Sequence, residues 1–179
     1  MRAIMTTATS AWRPQRAIDI IAGTPEGGGL DRTARALAQA LQAEKLVDGP
    51  VNVVNMPGDG SRRIWPYLDG RASDPHVLVV SSPNVTTDNL TGQTAFDHAR
   101  YTPLAILHDE YIAFVTRADS SLANARALMD ALARNAGVVS VALATSLGNP
   151  NHIALARVTR HAGGDVRALN VRPFDSARH

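Results

Sequence analysis

The chain has 179 residues, 45% hydrophobic and 19% charged, with 18 basic and 16 acidic side chains for a net charge of +2. This composition builds one or two globular domains and excludes intrinsic disorder, and no apolar stretch approaches the roughly 20 residues of a membrane-crossing helix. The absence of cysteine excludes disulfides, thiolate metal sites and a cysteine nucleophile, while 4% aromatics and scattered charge exclude the basic stripe and stacking platform of a nucleic-acid binder.

The segment Met1 to Ala11 is small and polar and lacks the apolar core of a leader. From there strands and helices alternate. Ala17-Ile18-Asp19-Ile20-Ile21-Ala22 reads as a buried strand stopped by Gly23. The breaker-rich loop Thr24 to Asp31 follows, and Leu30, Ala34, Leu37, Ala38 and Leu41 then mark one face of a helix that Asp31 is placed to cap. Val51 to Met56 is a second strand, ended by Pro57-Gly58-Asp59-Gly60, with a short helix from Ser61 to Leu68. His76 to Val80 is a third strand, running into Ser81-Ser82-Pro83-Asn84, and residues 85–100 are weakly patterned with room for a short helix.

Thr102 to Leu107 and Tyr111 to Thr116 read as strands around His108-Asp109-Glu110. Leu122, Ala125, Leu128, Met129 and Leu132 mark a helix closed by Asn135 and Gly137. Val138 to Ala144 is a strand, residues 145–150 a loop, Asn151 to His161 a helix, and Val166 to Val171 the last strand. This alternation predicts parallel or mixed sheets with helices on both faces, and it directs ligands to the loops beyond the strands' carboxyl ends.

Among those loops, Gly27-Gly28-Gly29 stands out. It has no side chains, a helix starts directly after it, and unpaired N–H groups with the helix dipole favour an anion there. It lacks the lysine and hydroxyl of a phosphate-binding P-loop and the spacing of a dinucleotide loop, so it suits a carboxylate or another modest anion. Ala144-Thr145-Ser146-Leu147-Gly148 nearly matches a nucleophile elbow, which keeps open a serine hydrolase using Ser146 with Asp165 or Asp175 and His179; otherwise Thr145 and Ser146 offer hydroxyls to a ligand or to the turn. His108-Asp109-Glu110 alternates across an extended strand and makes no metal cage. No cofactor or metal is expected.

Further segments join these loops. They are Arg13-Pro14, Gly27-Gly28-Gly29-Leu30-Asp31 with Ala34-Arg35-Ala36-Leu37, Val53-Val54-Asn55-Met56-Pro57-Gly58 and Asp74-Pro75-His76. Ser81-Ser82-Pro83-Asn84, Arg117-Ala118-Asp119-Ser120, Gly148 to His152 with Ala154-Leu155-Ala156, and Val171 to Asp175 continue the series. In that order and spacing the chain resembles, over residues 12 to 176, the periplasmic solute-binding proteins of the tripartite tricarboxylate transporters. The resemblance implies a bilobed, periplasmic-binding-protein-like α/β fold, with a first lobe at 12–110 and an incomplete second lobe at 111–179. It implies a receptor, not an enzyme, that closes on a small di- or tricarboxylate or related anion and delivers it to a membrane permease. The implied first-lobe contacts are Gly27, Gly28, Gly29, Asp31, Ser81, Ser82 and Asn84. Those of the second lobe are Thr145, Ser146, Asn151 and His152, with Phe174 and Asp175 nearby.

Three departures qualify the match. Glu26 sets a negative charge beside the glycine loop, Arg172 and Arg178 stand where the family is uncharged, and the chain ends soon after Pro173-Phe174-Asp175, where the family runs on. An incomplete lobe exposes sheet edges, so a homodimer and a truncated relative with a structural or sensory role form the alternative expectation. A periplasmic location expects a leader ahead of Met1; with Met1 as the true start the location would be cytoplasmic.

Overall fold

The computed structural model describes residues 12–144 and 146–174. Three short β-branched runs, β1 (Ile18–Ala22), β2 (Val51–Asn55) and β3 (Val77–Val80), form one parallel sheet in the order β2-β1-β3. Ile20 lies opposite Val53 on one side and Leu78 on the other. A central parallel strand is covered on both faces, which explains its unbroken apolar sequence; Ile20, Ile21 and Ala22 have no exposed surface.

Helix α1 (Gly29–Ala43) covers one face, laying Leu30, Ala34, Leu37, Ala38 and Leu41 on Ile18, Ile20, Ala22 and Val80. The opposite face packs Ile21 against α2 (Ile64–Asp69) and Phe96, whose ring stacks on Trp65 at 3.9 Å between centroids. After β3 comes α3 (Asn84–Leu90).

A second, separate sheet pairs β4 (Ser140–Ala144) with β5 (Asn170–Phe174), again parallel, with Ser140 opposite Asn170. Helices α4 (Ala125–Asn135) and α5 (Pro150–His161) contribute Leu128, Leu132, Leu155 and Val158 to a core with Ala136, Val139 and Val171. Every strand pair is parallel, so the α/β class holds with parallel sheets and helices on both faces of the first.

Several expectations shift. Residues 102–107 and 111–116 form no strand. A strand needs a neighbour to accept its ladder, and no described strand lies beside them. Leu104, Ile106 and Val115 are instead 74%, 89% and 91% exposed, while Leu107 and His108 line one cavity with Arg32, Leu37 and Ala40 of α1. The last strand starts at Asn170 rather than Val166, because Asp165 caps a single 3-10 turn at Val166–Ala168 by accepting from the Arg167 N–H. Pro173, Phe174 and Arg172, expected in a loop, therefore lie in β5, where Pro173 faces no second partner strand that needs its missing N–H. The helix expected from Ser61 is a 3-10 turn at Asp59–Ser61 followed by α2. No helix among the described residues is long and apolar enough to cross a membrane.

Candidate functional site

The parallel sheet brings the loops after β1, β2 and β3 to one edge, as the strand order requires. The loop after β1 is a tied structure. The N-cap of α1 is Gly28, without a side-chain cap. Asp31 does not cap as expected: it sits one turn inside, and its carboxylate reaches back to accept from the Gly27 N–H at 2.7 Å. The same carboxylate accepts from Arg35 Nε at 3.1 Å and from Asn55 Nδ2, at the end of β2, at 2.9 Å. Asn55 Nδ2 also donates to the Thr24 carbonyl, and Thr24 Oγ1 accepts from the Asp31 N–H.

Asp31 is 1% exposed. Burial alone would raise its pKa, but the bonds from Arg35, Asn55 and the Gly27 amide, with the charge of Arg35, outweigh it and hold the carboxyl at about 2. The Asp31 carboxylate is thus committed to the loop's own architecture. Glu26 points its charge at Arg35, 3.1 Å away, which answers the repulsion expected beside the glycines.

The three glycines have different duties. The Gly27 N–H serves Asp31 and the Gly28 N–H donates to the Pro25 carbonyl at 2.9 Å. A Cβ on Gly28 would stand 2.7 Å from Thr24 Cβ, so the chain doubles back too closely there for any side chain. Gly29 meets nothing within 4 Å. The amides of Gly29 and Leu30, in the first turn of α1, make no bond among the described residues, as the first amides of a helix do.

Next to this loop lies a cavity of about 230 Å³, lined by Gly23, Thr24 and Pro25 and by Pro57 to Ser61. Ser61 Oγ donates to the Gly23 carbonyl at 2.8 Å and closes its floor. None of the ligand residues expected from sequence lines this cavity. The Pro57 to Gly60 breakers are the signal that could have pointed to it, since a glycine-rich turn beyond a strand offers backbone to a ligand.

At the end of β3, Ser81 is exposed and Ser82 half-buried, while Asn84 is buried with Oδ1 lacking a partner. Four residues on, Asp88 is 1% exposed and also has an unpartnered carboxylate oxygen, Oδ1, with Arg62 3.7 Å away. Burial raises the pKa of Asp88, against the pull of Arg62 and with a further push from Asp59.

On the second sheet, Ser146 follows β4 by two residues and is buried against Gly60. Its Oγ has no hydrogen-bond partner and therefore no histidine base, so the described residues do not form a hydrolase dyad. His152 is a loop support: Nδ1 accepts from the Gly148 N–H at 2.9 Å, and its own N–H donates to Asn149 Oδ1, the cap of α5. Asn151 is half-buried in the first turn of α5, and Phe174 ends β5 at 46% exposure. Thr145 and Asp175 lie outside the described residues. The structure thus brings Ser146 to the first sheet's loops. Gln93, which bridges this junction to the Leu147 carbonyl, and Arg62, which holds it, were not anticipated.

No family model and no curated protein matches the chain. Solved structures do. A TctC solute binding protein from Polaromonas, without ligand, is 27% identical, covering 92% of this chain and 55% of its own, at a TM-score of 0.57. The periplasmic binding protein BugD is 21% identical over 91% of this chain and 53% of its own, at 0.60. A periplasmic transporter is 19% identical over 92% and 54%, also at 0.60. The fold is therefore periplasmic-binding-protein-like α/β. Within that class the likeness in sequence is to the TctC type, and the chain spans about half the length of each of these three proteins.

The Asp31 knot makes an acid-dependent prediction. A carboxyl depressed from 3.8 to about 2 contributes stability that is fully present above pH 3.8 and lost as pH falls through 2. Urea unfolding of Asp31→Asn is expected to show roughly 1–2 kcal/mol less stability at pH 7 and correspondingly less further loss between pH 4 and 2 than the parent chain.

Proposed function

We propose that this chain is the ligand-gripping part of an extracytoplasmic solute-binding receptor, and that its ligand is a small carboxylate passed to a membrane permease. The two sheets are the two lobes, divided near residues 110 and 111, and the ligand sits where their loops meet. The observation that carries this reading is the first turn of α1. The loop before it is tied by Asp31, Asn55 and Thr24, the Gly29 and Leu30 amides are left unbonded, and the Gly23 to Pro25 end of the same loop lines a cavity of about 230 Å³. Backbone N–H groups at a helix start hold negative oxygen without needing a charged side chain. The cavity volume suits a small organic acid rather than a nucleotide. The likeness to a TctC solute binding protein supports the same class of activity.

Of the residues expected to touch the ligand, Gly29 carries the reading furthest. Gly27 and Gly28 contribute by shaping the turn, and Ser81, Ser82, Asn84, Thr145, Ser146, Asn151, Phe174 and Asp175 are kept as proposed flanking contacts. Asp31 and His152 act through the loops they brace.

The exposed apolar side chains Leu104, Ile106, Tyr111 and Val115 favour a second reading, in which this segment pairs with another copy of the chain. Sedimentation velocity is expected to show a concentration-dependent dimer, lost when Ile106 and Val115 are both changed to lysine.

A thermal-shift panel of succinate, glutarate, citrate and uncharged analogues tests the receptor reading. At least one acid should raise the melting temperature, since a ligand of the native state alone stabilises it. Gly29→Asp has room for its side chain and favours the helix start, so it should fold normally while weakening that acid at least tenfold. An unchanged response in Gly29→Asp would remove the amides from the site.

A further inference from the structure

We propose that Gln93 is a latch that holds the two lobes together without ligand, and that the trapped hydroxyl of Ser146 works against it. Gln93 follows α3 on the first lobe, and its Nε2 donates to the Leu147 carbonyl on the second at 3.1 Å. The orientation of that amide is fixed by chemistry. Its Oε1 accepts from Arg62 Nη1 at 3.0 Å; a guanidinium only donates and a carbonyl only accepts, so the oxygen must face Arg62 and the nitrogen Leu147. Arg62 is itself held, with Nη2 on Asp59 Oδ1 at 2.6 Å and Asp88 behind it at 3.7 Å. Thr91 Oγ1 accepts the other Gln93 N–H at 3.0 Å. The latch is therefore pre-set by the first lobe before the second arrives, and little side-chain freedom is lost when the contact forms.

The fit at the junction is backbone-close. A Cβ on Gly148 would stand 3.0 Å from Gln93 Nε2, and one on Gly60 would stand 3.0 Å from Ser146 Oγ. Two glycines thus let each lobe's backbone sit directly on a polar side chain of the other. The two contacts differ in sign. Gln93 gains a hydrogen bond. Ser146, 8% exposed with Oγ unpartnered, loses water and gains nothing. Parting the lobes would rehydrate that hydroxyl. The resting balance between closed and open is then a difference of two small terms. A ligand needs to add only a modest preference for the closed form to shift the population, and its apparent affinity follows the fraction already closed.

The absence of native cysteine permits a clean distance measurement. Spin labels on Gln42→Cys in α1 and Arg160→Cys in α5, both exposed, report lobe separation by pulsed electron resonance in the ligand-free chain. Gln93→Glu keeps the Arg62 partner and replaces the donor facing Leu147 by an oxygen. It should raise the open-to-closed ratio about two- to tenfold, the value of one neutral hydrogen bond, and Gln93→Ala should do the same. Ser146→Ala should move the ratio the other way by a similar factor. The proposal is overturned if Gln93→Glu and the parent give the same distance distribution, or if Ser146→Ala widens it.

Discussion

A single buried carboxylate organises the end of the first sheet. Asp31 joins α1 to the loop before it through the Gly27 amide, to its own helix through Arg35, and to β2 through Asn55. A buried charge is stable only when such partners are supplied, and here they come from three directions. Because the loop amides of Gly27 and Gly28 are consumed in this knot and a neighbouring turn, the position of the next two amides is fixed before any ligand arrives. Pre-ordering of this kind lowers the cost of binding for any ligand that a loop takes.

The topology extends the same logic to the second sheet. Parallel strands of the first sheet end on one side, so β1, β2 and β3 send their following loops to one edge, and the loop after β4 reaches the turn after β2 through Ser146. Ser146 meets Gly60 there, and Gln93, held by Arg62, donates across to the Leu147 carbonyl. A cavity lies between the first two loops, and the same Gly60 turn that lines it makes the contact to the second sheet. Among the described residues the segment between the sheets has no ladder partner, and Ile106 and Val115 stand in solvent.

Much of the fold was legible because its signals are local. Ile18 to Ala22 declares a buried strand by composition, and Leu30, Ala34, Leu37, Ala38 and Leu41 declare the covering helix by period. Failures came where a partner decides. Residues 102–107 and 111–116 have strand composition but no neighbour among the described residues, and a strand without a neighbour is not a strand. Val166 looked like a strand start, yet the Asp165 side chain binds the Arg167 N–H and turns the chain first. The site was harder still. The glycine run announced a backbone-lined loop, but the Asp31 carboxylate that ties it is itself held by Asn55, 24 residues further on, and no local pattern encodes that bond. Arg62 and Gln93 were invisible for the same reason, being 31 residues apart and defined by where α2 and α3 pack.

The most direct test follows individual amides. In a ¹⁵N-labelled chain titrated with succinate, glutarate and citrate, the account predicts that the Gly29 and Leu30 resonances move together and saturably with a bound acid. Those of Gly27 and Gly28, already bonded to Asp31 and Pro25, should move least within the loop. Saturable shifts confined to other parts of the chain, with Gly29 and Leu30 unmoved, would contradict it.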